Sequence, residues 1–154
     1  MSMYHLIYQS QALTAFSTAE LIELLQKSYA YNKEHGLTGM LLHAPNGQFL
    51  QVLEGEAATV QALFYDRIAN DPRHEHIVVL SEGPSDSQVF STWTMSFRDG
   101  VGLGGLPGYL APRAAYVQVC NLAQATPELM RLLQDFTAGY DDNRLSESMI
   151  SRRN

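Results

Sequence analysis

The chain has 154 residues, 45% of them apolar, which suits one soluble domain with a proper core and a short extra segment. Ten Lys and Arg against 16 Asp and Glu give a net charge of -6, which repels a phosphate backbone and argues against a nucleic-acid partner. A single cysteine, Cys120, excludes an internal disulfide and fits a reducing cytoplasm, where it reads as a small core residue. The start lacks a basic leader and no apolar run approaches membrane length, so neither secretion nor a membrane span is expected.

Residues 4–10 (Tyr-His-Leu-Ile-Tyr-Gln-Ser) alternate as a first strand, with Tyr4, Leu6, Tyr8 and Ser10 on one face. A tyrosine among aliphatics needs a partner for its hydroxyl, so Tyr8 requires one. Ser17-Thr18-Ala19-Glu20 has the form of a capping box and opens a helix. Leu21, Leu24, Leu25, Ser28 and Asn32 then fall on one stripe, and His35-Gly36 stops it. Asn32 is thus either a polar helix end or an amide aimed at a ligand.

Residues 37–43 form a second strand, and Pro45-Asn46-Gly47 predicts a hairpin into a third, 48–53. That third strand, Phe49-Leu50-Gln51-Val52-Leu53, is apolar on both faces apart from one amide. It is therefore expected at the centre of the sheet with Gln51 buried, and Glu54-Gly55 ends it. A second helix follows over 56–70 with the stripe Val60, Leu63, Phe64, Arg67, Ile68 and Asp71. Arg67 and Asp71, four apart, are either a surface ion pair or polar groups facing a pocket. A turn at 71–74, a strand at 76–81, a loop at 83–88 and a fifth strand around Phe90 and 93–97 complete the pattern.

The order strand, helix, strand, strand, helix, strand, strand predicts a ferredoxin-like α+β domain over residues 1–99, with both helices on one face. Beyond it, residues 100–108 hold five glycines and read as a flexible connector. Thr126-Pro127-Glu128 opens a further helix that Gly139 ends, giving residues 100–154 the character of a helical extension.

Catalytic constellations are thin. His74 and His76 are a weak metal signal without further ligands, so no metal site is expected. No nucleophile elbow or phosphate loop appears. What remains is Tyr8, Asn32, Gln51, Arg67 and Asp71, which periodicity places on buried faces of one layer pair. Their donors and acceptors suit the polar edge of a heteroaromatic ring.

These residues carry a resemblance to the BLUF family of flavin-binding blue-light sensors. The matching stretches are Leu6-Ile7-Tyr8-Gln9-Ser10, Asn32 leading into Gly36-Leu37-Thr38-Gly39, and Phe49 through Gly55. Arg67-Ile68, Asp71-Pro72-Arg73-His74, and Phe90 with Trp93-Thr94-Met95 continue it in order over residues 4–98. The resemblance implies a non-covalently bound FAD, with FMN as the alternative, and a sensor without catalytic activity. It implies that Tyr8 donates an electron and a proton, that Gln51 rearranges, and that Trp93 and Met95 exchange near the chromophore. It further implies flavin contacts from Asn32, Gln51 and Arg67, with Leu24, Ser28, Ile68, Asp71 and His74 along the same pocket. Tyr31 stands where some members carry a second Asn, and Gln88-Val89 where an Arg often precedes the Phe90 position. Output is expected through a homo-oligomer and a protein partner on the C-terminal segment. The rival readings are a flavin-dependent redox enzyme and an acylphosphatase-like hydrolase.

Overall fold

The computed structural model describes residues 3–97, 105–121 and 131. Strand β1 spans Met3–Ala12 and helix α1 Thr18–Glu34. The expected capping box forms: Ser17 Oγ accepts from Glu20 N at 3.1 Å, and Glu20 Oε1 accepts from Ser17 N at 3.0 Å. Strands β2 (Thr38–His43) and β3 (Gln48–Gly55) follow as a hairpin. Helix α2 spans Ala57–Gln61, β4 His74–Ser85, β5 Trp93–Phe97 and α3 Pro112–Asn121.

The sheet order is β4-β1-β3-β2-β5, so β3 is the central strand, and all but its first residue are buried. Both of its neighbours run antiparallel to it, whereas β5 joins β2 in parallel. This is the split βαβ pattern of the ferredoxin-like fold with a fifth strand added.

Leu21, Leu25, Val60, Leu63 and Phe64 pack on Leu6, Leu41, Phe49 and Leu53 in one cluster, so α1 and α2 share one face as expected. The other face carries Ile7, Met40, Leu42, Leu50 and Val52, and Phe90, Leu110 and Ala115 of α3 cover it.

Four details depart from the sequence reading. The second helix is α-helical only over Ala57–Gln61 and continues as a π-helix over Ala62–Ile68, where Ala69 N donates to Phe64 O at 2.8 Å. The wider turn rotates the stripe, so Leu63 and Phe64 stay buried while Arg67 is exposed. Strand β4 is also longer at both ends than expected. Pairing of Met3 with Ser85, Tyr4 with Pro84 and His5 with Gly83 draws the Gly-Pro-Ser stretch into the sheet. Pro84 is tolerated because β4 is an edge strand with no second partner to receive an N–H.

The third departure is α3, which no polar cap announces and whose only local signal is Pro112 at its first turn. The fourth concerns the connector. Met95 N donates to Gly108 O and Leu110 N donates to Met95 O, both at 2.8 Å, so 108–110 run alongside β5. The helix expected from Thr126 to Gly139 lies, Arg131 excepted, outside the described residues, as does the side chain of Cys120.

Candidate functional site

Sheet register sets the site. Tyr8 stands opposite Gln51, Gln51 opposite Leu41, and Leu41 opposite Met95, in one row across β1, β3, β2 and β5. Side chains in such a row lie on one face, here the face beneath the helices. Gln51 Nε2 donates to Tyr8 Oη at 2.7 Å, and Trp93 Nε1 donates to Gln51 Oε1 at 3.0 Å. All three residues are buried.

An indole N–H can only donate, so the amide atom facing Trp93 must be the oxygen. That puts the NH2 on Tyr8, whose hydroxyl accepts and keeps its own proton for another acceptor. Burial raises the pKa of Tyr8 well above the usual phenol range; the bond from Gln51 opposes the rise, and the charge of Asp71 adds to it. Phe64 of the π-helix packs on the phenol with ring centroids 5.1 Å apart. Met95 is fully buried beside this group, but Trp93 is the one that contacts the amide.

Helix α1 supplies the next polar group. Asn32 is 2% exposed and its Oδ1 has no hydrogen-bond partner among the described residues. Asn32 lines a cavity of about 200 Å³ with Tyr29, Thr38, Thr92 and Trp93. Two turns earlier on the same helix, Leu24 lines a smaller cavity of about 50 Å³ with Phe16, Phe49, Asp71, Arg73 and His74. Leu24 and Asn32 are roughly 12 Å apart along the helix axis, at 1.5 Å per residue. Ser28 lies between them, half-buried.

His74 is held at both nitrogens, one against Ser10 Oγ at 2.8 Å and the other against Ile68 O at 2.7 Å. The π-helix therefore anchors its end on the strand that carries Tyr8. Ile68 itself is half-buried against the helical-face core.

Of the two readings for Arg67 and Asp71, the ion pair does not form. Arg67 lies over the Tyr31 ring at 4.6 Å, while Asp71 forms a pair with Arg73 at 2.6 Å. The hydrogen bond from Arg73 holds the Asp71 carboxyl below its usual range. The cation lining the smaller cavity is thus Arg73, which stands in the quoted Asp71-Pro72-Arg73-His74 stretch but received no role from periodicity. Glu54 was also missed: the motif shows it only as a strand end, whereas its carboxylate is 2% exposed and accepts from Thr38, Val89 and Phe90.

The arrangement fits the polar edge of a flavin ring. A buried acceptor without a partner costs stability unless a ligand donor meets it, and the ring's pyrimidine edge presents an N–H between two carbonyls. Tyr8 adds its one phenol O–H and Gln51 the second N–H of its amide, since the bond between them uses neither.

Comparison with known proteins agrees. Photoactivated adenylate cyclase subunit beta of Euglena gracilis is 37% identical over 92 residues, 59% of this chain and 10% of the relative. The alpha subunit from the same organism is 39% identical over 64 residues, 42% of this chain and 6% of the relative. The chain thus spans about a tenth or less of the curated relatives it matches. Among solved structures, Klebsiella pneumoniae BlrP1 with FMN and cyclic diGMP superposes with a TM-score of 0.67 at 28% identity, over 88% of this chain and 34% of that one. The dark-state structure of BlrB, a BLUF protein, shares the fold at a TM-score of 0.62 and 22% identity, over 89% of this chain and 96% of that one. A family model described as sensors of blue light using FAD matches residues 3–96, and on that match the chain belongs to the BLUF family.

Proposed function

We propose that this chain is a blue-light receptor that binds FAD non-covalently and switches through Tyr8 and Gln51. The observation that carries the reading is the amide of Gln51 held between a phenol and an indole. Bound flavin supplies light absorption and an electron-poor ring. Asn32 receives the ring's polar edge, with Leu24, Ser28, Ile68, Asp71 and His74 along the same face and Arg73 as the nearby cation. Tyr8 is the electron and proton donor, and burial keeps its proton on Oη until then. Exchanging the O and NH2 ends of Gln51 reverses donor and acceptor at nearly constant volume. The exchange would set NH2 against the indole N–H, so Trp93 must leave as Gln51 turns, and Met95 is the neighbour that takes its place.

Residues 1–99 act as the sensor and 100–154 as the output surface toward a second copy or a protein partner. The backbone bonds from Met95 to Gly108 and Leu110 support this, because they join the switching strand to the later segment. Gly108 also sits so close to Tyr29 of α1 that a Cβ would approach its ring to 2.6 Å. A shift at β5 or α1 is therefore felt there.

Two variants test the switch. Tyr8→Phe and Gln51→Leu should each bind flavin yet fail to form a long-lived red-shifted state on illumination. A red-shifted state like the parent's in either variant would remove that residue from the mechanism. For the output, a chain truncated after Gly100 should keep most of the spectral shift and lose light-dependent association; unchanged association would place the surface on residues 1–100.

A further inference from the structure

Among the described residues Glu54 is the one carboxylate that is fully buried, and no salt bridge joins it to a cation there. Three donors compensate it: Thr38 Oγ1 at 2.9 Å and Phe90 N at 2.9 Å on Oε1, and Val89 N at 2.7 Å on Oε2. Two of the three belong to the backbone immediately before β5. A buried polar group satisfied this way resists any movement of the groups that satisfy it.

The geometry joins this carboxylate to the switch. Glu54 and Gln51 are three residues apart on β3, so they point to opposite faces of the sheet. Glu54 grips Val89 and Phe90, whose ring is 1% exposed in the cluster on its own face. Thr92 O accepts from Gly39 N at 3.1 Å, and the next residue, Trp93, reaches through to Gln51 on the helical face. One short stretch, 89–93, is thus held from both sides of a single strand.

We infer that Glu54 is a positioning residue that sets Trp93 as the donor to Gln51 and thereby fixes the resting orientation of the amide. The inference rests on the proposed role of Gln51. It adds that the resting state is selected from the face of the sheet away from the flavin. Weakening the carboxylate's grip on 89–90 frees Trp93 to leave and lets Gln51 take either orientation in the dark.

Trp93 is the chain's single tryptophan, so intrinsic emission reports its surroundings even in flavin-free protein. In full-length Glu54→Gln, one acceptor oxygen becomes a donor facing a backbone N–H. Emission of the flavin-free variant should shift to the red and become more quenchable by acrylamide. With flavin loaded, recovery of the dark spectrum should change by about threefold to tenfold, the scale of one hydrogen bond. Thr38→Val removes the third donor without touching 89–90 and should leave the emission in place. If Glu54→Gln does not fold, Glu54→Asp carries the same expectation, because the shorter carboxylate cannot reach both N–H groups.

Unmoved emission, or an equal shift in Thr38→Val, would overturn the positioning role. A Gln51→Leu chain that still switches would instead sink the switch reading and leave the emission result standing. The two failures are therefore distinguishable.

Discussion

The two faces of the central sheet treat their polar groups in opposite ways. Beneath the helices, Tyr8, Gln51 and Trp93 are joined by single bonds, of which an amide rotation would reverse the one to Tyr8 and break the one to Trp93, and Asn32 Oδ1 has no partner among the described residues. On the other face one buried carboxylate is saturated by three donors within a shell of aliphatic residues and Phe90. The first arrangement gains a second hydrogen-bond state only if Trp93 leaves, whereas the second has one state whatever Trp93 does. The proposed switch needs both, because a rearrangement moves the rest of the molecule only if it is referred to something that stays in place.

The largest effect that should separate the faces is on stability. Phe90→Ala empties a fully buried ring site on the holding face and should cost about 3–5 kcal/mol. Tyr8→Phe keeps ring and packing on the face beneath the helices and should cost about 1 kcal/mol or less, the scale of one hydrogen bond. Urea unfolding of the flavin-free chains measures both. Similar losses for the two variants would mean that the faces do not divide the work as described.

A second contrast lies in alkaline solution. The folded state raises the pKa of Tyr8 above its ordinary value of 10.0 and so favours the neutral phenol. Between the unfolded and folded values the native chain holds more protons than the unfolded one, and stability falls as pH rises through that window. One such group contributes a slope of up to about 1.4 kcal/mol per pH unit. Tyr8→Phe should flatten the fall measured by urea unfolding above the usual phenol pKa. Tyr4 and Tyr65 are also raised, chiefly by hydrogen bonding to Glu82, but they are common to both chains. A parent and variant with identical alkaline slopes would show that Tyr8 is solvated when folded.

The face beneath the helices was the more legible of the two in sequence. Strand periodicity alone puts Tyr8 and Gln51 on inward faces, where a phenol and an amide must each find a partner; that each is the other's partner comes from the β1–β3 register. Helical spacing places Asn32 at the buried end of α1 in the same way. Arg67 shows where periodicity fails: nothing local distinguishes a π-turn from an α-turn, and the change of period turned the guanidinium outward onto Tyr31. Strand β4 fails differently, since Gly83-Pro84 has turn composition and only ten residues of β1 beside it make it a strand. Glu54 was illegible because its partners lie 35 and 36 residues further along, and a Glu-Gly pair at the end of a strand looks like punctuation.

The smallest effect expected is at Asn32, and it asks whether its unmet acceptor belongs to a ligand site or to a frayed helix end. The backbone carbonyl of Asn32 accepts from Leu37 N at 2.8 Å, so the helix terminus is satisfied without the side chain. Removing the amide in Asn32→Ala also removes a buried acceptor that has no partner, and this gain offsets the lost packing. The flavin-free variant should therefore unfold at nearly the parent's urea midpoint. With flavin, one hydrogen bond of about 0.5–1.5 kcal/mol is lost, which weakens affinity by about twofold to tenfold. Titration with FAD, read by quenching of flavin fluorescence, measures this directly. Unchanged affinity together with a clear loss of stability would make Asn32 a structural helix end, and the ring's polar edge would then have to find its partner on another element.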